Sequence, residues 1–291
     1  NRNKKVKISS IEIKGNEEYL FVAILMFSSC EEQLVMVPEF ELPASDRVVL
    51  LEELTGVSCP NCPVGTAAID QIKANYGKSV VAVGIHGSFL SWPTPENKYD
   101  FRNEDAAELE EYLRPWQGKP AASINRIKHT DDELSISTPA VWSNYIDAEL
   151  NKDHVMNLLL TTSYDEETRD LDITVTMIPL QDFSSDDNVH VSVMIVENKI
   201  IDAQEDNSTI LKEFEHNHVL RTMVTSAKGN PVQQELVENT PINKDFSFTI
   251  PLPEEGDLLW VPENIDVIAF THIVEGDTKD VLQAVEKKII E

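Results

Sequence analysis

Residues 54–77, LTGVSCPNCPVGTAAIDQIKANYG, place two cysteines three positions apart, directly before a segment with the punctuation of a helix. Pro63 stands in the first turn of the expected helix and Gly77 follows its end, as is usual for these two residues at helix termini. Segments 47–54 and 79–86, rich in Val, have the composition of buried strands. A strand, a helix and a strand within about forty residues predict a parallel βαβ unit.

The position of the two cysteines at the start of a helix favours redox chemistry. Unpaired backbone N–H groups and the positive end of the helix dipole stabilise a thiolate there, and so lower the pKa of a cysteine. The two-residue spacer lets the two sulfurs meet. We therefore predict that Cys59 is an exposed attacking thiol and that Cys62 is its resolving partner.

Two other interpretations of the cysteine pair stay open. Zinc usually has four protein ligands in a structural site, and CxxC supplies only two of them. The one close pair of histidines, His216 and His218, lies far along the chain, so no metal site is predicted. A structural disulfide is the more serious alternative, although its very small loop would contribute little stability through chain entropy.

The first thirty residues have the pattern of an export signal. A basic start precedes an apolar run over residues 19–27, which is far shorter than the roughly 20 residues needed to span a bilayer. Cys30 follows two serines, and this resembles a bacterial lipobox. We expect a signal peptide over residues 1–29 and a lipid anchor at Cys30, with an ordinary signal peptide or a buried strand as alternatives. An exported chain would meet an oxidising compartment, where disulfides persist.

The charge of the chain limits its partners. Acidic residues number 51 against 24 basic ones, which gives a formal net charge of −27. No basic stripe is present, so a nucleic acid is not an expected partner. The acidic runs 165–167 and 186–187 lack the spaced oxygens and the glycine of an EF-hand loop. We interpret them as solvated surface, and no cofactor is predicted.

The composition and the periodicity of apolar residues change along the chain. Residues 30–46 are polar and dotted with proline, as in a tether, whereas residues 47–152 contain the expected βαβ unit and further helices. Residues 153–291 show alternation with period two in several short rows, separated by turn residues, which predicts an antiparallel β-sandwich. The predicted fold class is therefore α/β followed by all-β.

The N-terminal part resembles the thioredoxin fold. A strand, CxxC at a helix start, a second strand and a later Gly-x-Pro before another strand occur in that order. In that family the later proline is cis and packs against the CxxC, which assigns this role to Pro120. The residue before it, Lys119, would face the sulfurs, where an ammonium stabilises a thiolate. An ordinary loop lysine is the alternative interpretation.

Some residues depart from the thioredoxin pattern. Ser58 stands where thioredoxins carry tryptophan, and residues 60–61 are Pro-Asn instead of Gly-Pro. The acidic pair Glu52 and Glu53 lies close by, and negative charge raises the pKa of a thiol. The strength of any redox reaction is therefore not carried over from that family.

A resemblance of wider extent rests on four motifs in sequence order. EELTGVSCPNCP, VAVGIHG, GKPAASINR and EFEHNHVLR are similar to segments of the twenty-eight-kilodalton outer-membrane-protein family of Gram-negative bacteria. This resemblance implies a lipoprotein at the outer membrane or cell surface, with a thioredoxin-like domain and a β-rich C-terminal domain. It implies no established reaction.

Several further residues have both a functional and a structural interpretation. His216 and His218 would point to one face of a strand, as half of a metal site or as a structural polar pair. His86 follows a strand and is a candidate proton shuttle, or a hydrogen-bonded strand end. Phe89, Trp92 and Tyr99 are aromatic residues of one loop, suited to a peptide-binding rim or to core packing.

Two hypotheses of different classes follow. In the first, the chain catalyses thiol–disulfide exchange on envelope proteins, with Cys59, Cys62, Lys119 and Pro120 at the site. In the second, it is a surface binding or scaffold protein whose disulfide is structural and whose β-sandwich recognises a partner. In both, Cys30 attaches the protein to the membrane.

Overall fold

The computed structural model describes residues 47–129, 133–254 and 257–290 of the chain. Its first part contains β1 (Val49–Leu54), α1 (Cys62–Tyr76), β2 (Val80–Ile85), α2 (Glu104–Tyr112), β3 (Ala121–Ile124), β4 (Ser135–Ile136) and α3 (Trp142–Leu150). Among the helices described, none has the length and apolar content required to cross a bilayer. The predicted signal peptide, the tether and Cys30 lie outside the described residues.

Strands dominate the rest of the chain. They are β5 (Met156–Tyr164), β6 (Asp170–Pro179), β7 (Val189–Glu197), β8 (Ile200–Asp206), β9 (Thr209–His216), β10 (Val219–Met223), β11 (Asn230–Pro231), β12 (Ile242–Thr249), β13 (Ile265–Ile273) and β14 (Val281–Lys288). The predicted β-rich character is confirmed.

The βαβ unit predicted around the cysteines is confirmed. Strand β1 pairs in parallel with β2, from Val49 opposite Val80 to Leu54 opposite Ile85. Every residue of both strands is buried, which explains their continuous rather than alternating apolar sequence. Between them, α1 begins at Cys62 and ends before Gly77, whose φ of 55° suits a residue without a side chain.

One nine-stranded sheet includes strands from both predicted domains, 47–152 and 153–291. Its order is β14-β13-β7-β10-β2-β1-β3-β4, and β11 attaches to β7. The junction is at β10 and β2, which run parallel with Val219 opposite Gly84. There the Gly84 N–H donates a hydrogen bond of 2.7 Å to the His218 carbonyl. The residues described belong to one compact unit.

The alternating rows of the second half form two packed layers. An antiparallel sheet of order β12-β6-β5 lies against one face of β7, β13 and β14, and side chains of both layers share an apolar core. The predicted sandwich therefore exists, but its second layer is part of the mixed nine-stranded sheet. Alternation indicates which face of a strand is buried, whereas it contains little information about which strand lies beside it.

Helices cover the other strands. Helices α1 and α3 pack on one face of β1, β2 and β3, with Ile69, Trp142 and Ile146 in their core. Helix α2 lies over a second core on the opposite face, which contains Leu50 of β1 together with Phe270 of β13. Because that second core joins strands from both ends of the sheet, the two halves of the chain fold around shared apolar contacts.

A buried ion pair crosses this second core. Arg126 donates two hydrogen bonds to the Glu52 carboxylate, at 2.8 and 2.6 Å, and both side chains are fully buried. The guanidinium also lies 4.7 Å from the centre of the Phe270 ring. A charge at this depth is tolerated only with its partner in place.

We therefore expect Arg126→Met to lower the free energy of unfolding by about 3–5 kcal/mol, because it leaves Glu52 buried without a partner. Urea denaturation measures the loss. The exposed pair of Arg102 and Asp100 supplies the control, since Arg102→Met should change stability by less than about 1 kcal/mol. Equal effects of the two substitutions would contradict this account of the buried pair.

Candidate functional site

The two cysteines of the CxxC motif form a disulfide. Cys59 and Cys62 are bonded, with their Cα atoms 5.4 Å apart. Their exposed fractions are 0% and 1%. The prediction of an exposed Cys59 is therefore wrong for the disulfide form, and the reason lies in a segment far along the chain.

The antiparallel hairpin of β8 and β9 covers the cysteine loop. Three of its donors reach carbonyl oxygens of the loop: Glu205 N to Val57 O (2.9 Å), Asn207 N to Pro60 O (2.8 Å) and Gln204 Nε2 to Cys59 O (3.1 Å). The Gln204 amide also donates to Gly56 O at 3.2 Å. The hairpin thus satisfies backbone groups that a bare loop would present to water.

A second loop fixes the hairpin from its other side. The Asp202 carboxylate accepts hydrogen bonds from the backbone N–H groups of Lys98 and Tyr99, at 2.9 and 3.0 Å. The Asn97 side chain donates to the Ala203 carbonyl at 2.6 Å. The hairpin is therefore bound to two loops of the first half of the chain.

The three aromatic residues considered for a peptide-binding rim have different surroundings. Tyr99 is buried in an apolar cluster with Val57 and Phe101. Phe89 and Trp92 are each 46% exposed, and Phe89 lies against Trp116, with ring centres 5.9 Å apart. Tyr99 therefore serves core packing.

Lys119 is buried and fully paired. Its Nζ donates to Thr55 O at 2.7 Å, Ser91 Oγ at 3.0 Å and Glu110 Oε2 at 2.9 Å. An ammonium has three donors, so a hydrogen bond to a cysteine thiolate would require the loss of one of these contacts. Burial lowers the pKa of Lys119, while the charge of Glu110 and their hydrogen bond act in the opposite direction.

Pro120 lies against the helix that Cys62 begins. The Lys119–Pro120 peptide is cis. A methyl group added at Gly65, one turn after Cys62, would lie 2.8 Å from Pro120 Cβ. The absence of a side chain at Gly65 therefore permits this close packing of the proline on the cysteine helix.

A carboxyl group shares this contact. The Glu53 side chain meets Gly65 as well, it is buried, and its Oε1 has no hydrogen-bond partner among the described residues. Burial raises the pKa of Glu53 to about 8; the charge of Lys119 opposes this rise and that of Asp70 adds to it. Glu53 is thus a neutral acid near pH 7, close to the first turn of α1.

Glu52 and Glu53 are neighbours in the sequence, but they have different surroundings in the structure. Successive residues of a strand face opposite sides, so Glu52 pairs with Arg126 while Glu53 faces α1. A carboxyl on a fully buried strand, six residues before Cys59, was the available signal for a functional group.

The histidines considered as candidates lie near Glu53. His86, His216 and His218 line with it a cavity of about 20 Å³, and the ring centres of His86 and His216 are 6.1 Å apart. His218 follows the end of β9 with a φ of 57°, so the expectation that two histidines share a strand face is wrong, although both reach one cavity. Across residues 47–129, 133–254 and 257–290, no group of three or more His, Cys, Asp or Glu side chains has the arrangement needed to hold a metal.

Burial keeps these histidines neutral. It lowers the pKa of His216 to about 4, against the opposing charge of Asp202, and the pKa of His218 to about 4, with Lys73 contributing. It also lowers the pKa of His86 well below the ordinary range, and His216 and Lys119 add to this effect.

Comparisons with known proteins give a family and a fold. The sequence profile of a family described as Outer membrane protein Omp28 matches residues 110–291. No curated protein sequence matches the chain.

Three solved structures are similar to the chain. HBP35 of Porphyromonas gingivalis is 16% identical, with a TM-score of 0.61 over 84% of this chain and 75% of its own. Protein AGR_C_4864 from Agrobacterium tumefaciens is 12% identical, with a TM-score of 0.51 over 85% of this chain and 97% of its own. A domain of the outer membrane lipoprotein Omp28 from P. gingivalis is 22% identical over 47% of this chain and 90% of its own, with a TM-score of 0.31.

The raised pKa of Glu53 predicts a stability that falls as the pH rises. The ordinary value is 4.5 and the folded value about 8, so the folded protein holds this proton more tightly than the unfolded chain. The stabilising contribution of the neutral carboxyl is complete below about pH 4.5 and is lost as the pH rises through about 8.

The free energy of unfolding of the wild type should fall between about pH 6 and about pH 9 as Glu53 ionises. In Glu53→Gln we expect this fall to be smaller by roughly 2–3 kcal/mol. Urea denaturation at the two pH values measures the free energies of unfolding. Glu167→Gln, at an exposed position, is the control and should leave the pH dependence unchanged. A Glu53→Gln protein with the pH dependence of the wild type would contradict the prediction.

Proposed function

The chain belongs to the Omp28 family of outer membrane proteins, and we propose that it performs thiol–disulfide exchange on envelope proteins through Cys59 and Cys62. Family membership places the protein at the outer membrane. Its proposed attachment is a lipid at Cys30, after removal of a signal peptide over residues 1–29. The proposed partners are proteins of the envelope that carry dithiols or disulfides.

One observation carries the proposal: α1, which begins at the disulfide, meets the buried Glu53 carboxyl one turn later, and Oε1 of this carboxyl has no hydrogen-bond partner among the described residues. An unpaired buried carboxyl destabilises a fold, and groups of this kind with strongly raised pKa values are concentrated at functional sites. Glu53 lies against Gly65, one helical turn after Cys62. It can therefore serve as an acid or a base for a sulfur near the beginning of the helix.

The arrangement of strands supports the thioredoxin-like assignment of residues 47–152. Strands β1 and β2 are parallel, β3 is antiparallel to β1, and β4 is antiparallel to β3. Pro120 stands at the entry to β3 and packs on the cysteine helix. A proline that precedes a strand and packs on the cysteine helix is the relation that the sequence resemblance implied.

In the proposed reaction, a partner thiolate attacks Cys59 Sγ and the bond to Cys62 breaks. The Cys62 thiolate takes the proton of the Glu53 carboxyl. A second partner thiolate then attacks the partner sulfur of the mixed disulfide and releases Cys59, which takes up a proton. The partner dithiol is oxidised to a disulfide and the Cys59–Cys62 pair is reduced to two thiols, and the reverse sequence oxidises this pair again.

A second function is favoured by a different observation, the complete burial of both sulfurs under the hairpin. A disulfide that no partner reaches is structural, and the protein would then act as a surface binding protein. The reduction potential separates the two functions, because working oxidoreductases range from about −270 to about −120 mV and structural disulfides lie below about −300 mV.

We expect the full chain, equilibrated with redox buffers, to show a potential near or above about −230 mV for this pair. Cys59→Ser should abolish disulfide transfer to a reduced test protein. In Cys62→Ser, the free Cys59 thiolate should attack a test protein that carries a disulfide and accumulate as a mixed disulfide with it. Cys30→Ser is the matched control and should transfer disulfides as the wild type does. Unchanged transfer by Cys59→Ser would overturn the proposed exchange.

The hairpin predicts slow access to the disulfide. Gln204→Ala removes two hydrogen bonds to the cysteine loop, each worth about 1 kcal/mol, so we expect reduction by a small thiol to accelerate about thirtyfold. Stopped-flow measurement of the rate, with the exposed Gln71→Ala protein as control, tests this expectation. Equal rates in the two variants would mean that the hairpin does not limit access.

A further inference from the structure

Two neighbouring cavities lead from Glu53 toward the surface. The inner one, of about 20 Å³, is lined by Glu53, Asp70, His86, Gln204, His216 and His218 among others. The outer one, of about 280 Å³, also has His218 in its wall, together with the exposed Lys199 and Lys288. His218 therefore lies between the inner cavity and a pocket that is open to solvent.

The inner cavity has several polar side chains in its wall, and some of their buried atoms are not paired with protein. Within the described part of the chain, four buried atoms of its lining residues have no hydrogen-bond partner: Glu53 Oε1, His86 Nδ1, His216 Nε2 and His218 Nδ1. An unsatisfied buried polar atom costs about 1–3 kcal/mol. Four such atoms around one space are therefore strong grounds for a bound polar ligand.

The size of the cavity and its donor set favour water as that ligand. A water molecule needs at least roughly 10–15 Å³ and two to four polar partners, and both conditions are met. A neutral imidazole offers one donor and one acceptor, and a protonated carboxyl offers a donor. A water molecule can form hydrogen bonds with both donors and acceptors. The described side chains do not have the arrangement of a metal site.

We propose that the inner cavity binds a water molecule that hydrogen-bonds Glu53 and the histidines and carries protons between Glu53 and the outer pocket past His218. This inference rests on the proposed exchange reaction, in which Glu53 gives its proton to Cys62. The Glu53 carboxylate then takes a proton from the water, which is restored from solvent through the outer pocket. One proton moves from solvent to Cys62, and no group of the route is oxidised or reduced.

Burial keeps Glu53 and the histidines of the route neutral; some neighbouring charges act in the same direction, whereas Asp202 favours an imidazolium at His216 and Lys119 favours an ionised Glu53. Lys119 and Arg221 act on His86, and Lys73 acts on His218; each positive charge opposes an imidazolium. On the other side of the cavity, Asp70 acts on Glu53 and favours its protonated form. The histidines therefore hold the water as neutral donors and acceptors instead of storing a charge.

The test follows the Glu53 proton without any thiol chemistry. The oxidised full chain is transferred to deuterated water, and infrared spectroscopy records the exchange of its protonated carboxyl band, which Glu53→Gln identifies by its loss. We expect rapid exchange in the wild type and exchange at least about tenfold slower in His218→Leu. His154→Leu is the matched control, because His154 is partly buried and bonds Asn157 outside the cavity.

Equal exchange rates in His218→Leu and His154→Leu would overturn the proton route. A high-resolution crystal structure of the wild type gives an independent result that does not depend on the folding of any variant. Density for a water molecule within hydrogen-bond distance of Glu53 Oε1 and a histidine nitrogen supports the site, and an empty cavity overturns it. Because the disulfide stays oxidised throughout, a protein without exchange activity still gives both readouts.

Discussion

Strand β10 lies beside β2, and the position of the candidate site depends on this junction. Val219 stands opposite Gly84, and the Gly84 N–H bonds the His218 carbonyl immediately before the strand. The hairpin of β8 and β9 directly precedes β10, so the same junction brings it over the cysteine loop. His216 and His218 reach Glu53 for the same reason. Without this contact, the hairpin, His216 and His218 would be separated from the disulfide and Glu53, which both belong to the βαβ unit.

The sequence predicted those features that local patterns determine. Pro63 and Gly77 delimit α1, two continuous apolar segments are buried parallel strands, and the alternating rows are the strands of the sandwich. The cover over Cys59 was not predictable, because it is made largely by backbone donors such as Glu205 N and Asn207 N. Backbone groups are present in every residue, so their long-range partners leave no signature in the sequence.

In the candidate site, too, local sequence patterns predicted some positions, whereas long-range contacts determine the others. Helix punctuation placed the cysteines, and the thioredoxin resemblance placed Pro120 near them. Lys119 is surrounded by Glu110 of α2 and by Ser91 of a loop. The positions of these two residues in the sequence do not predict that they contact Lys119. The different environments of Glu52 and Glu53 follow from strand geometry once β1 is known to be buried on both faces.

The continuity of the nine-stranded sheet has a consequence for dissection of the protein. A fragment ending after α3 would leave β2, whose sequence is VVAVGI, as a sheet edge without β10. It would also lose the Phe270 side of the second core and expose Leu50 and its apolar neighbours. Uncovered apolar edge strands pair with other chains. Aggregation of such a fragment would therefore reflect a missing neighbour in the sheet, rather than any failure of the cysteine-containing unit to fold.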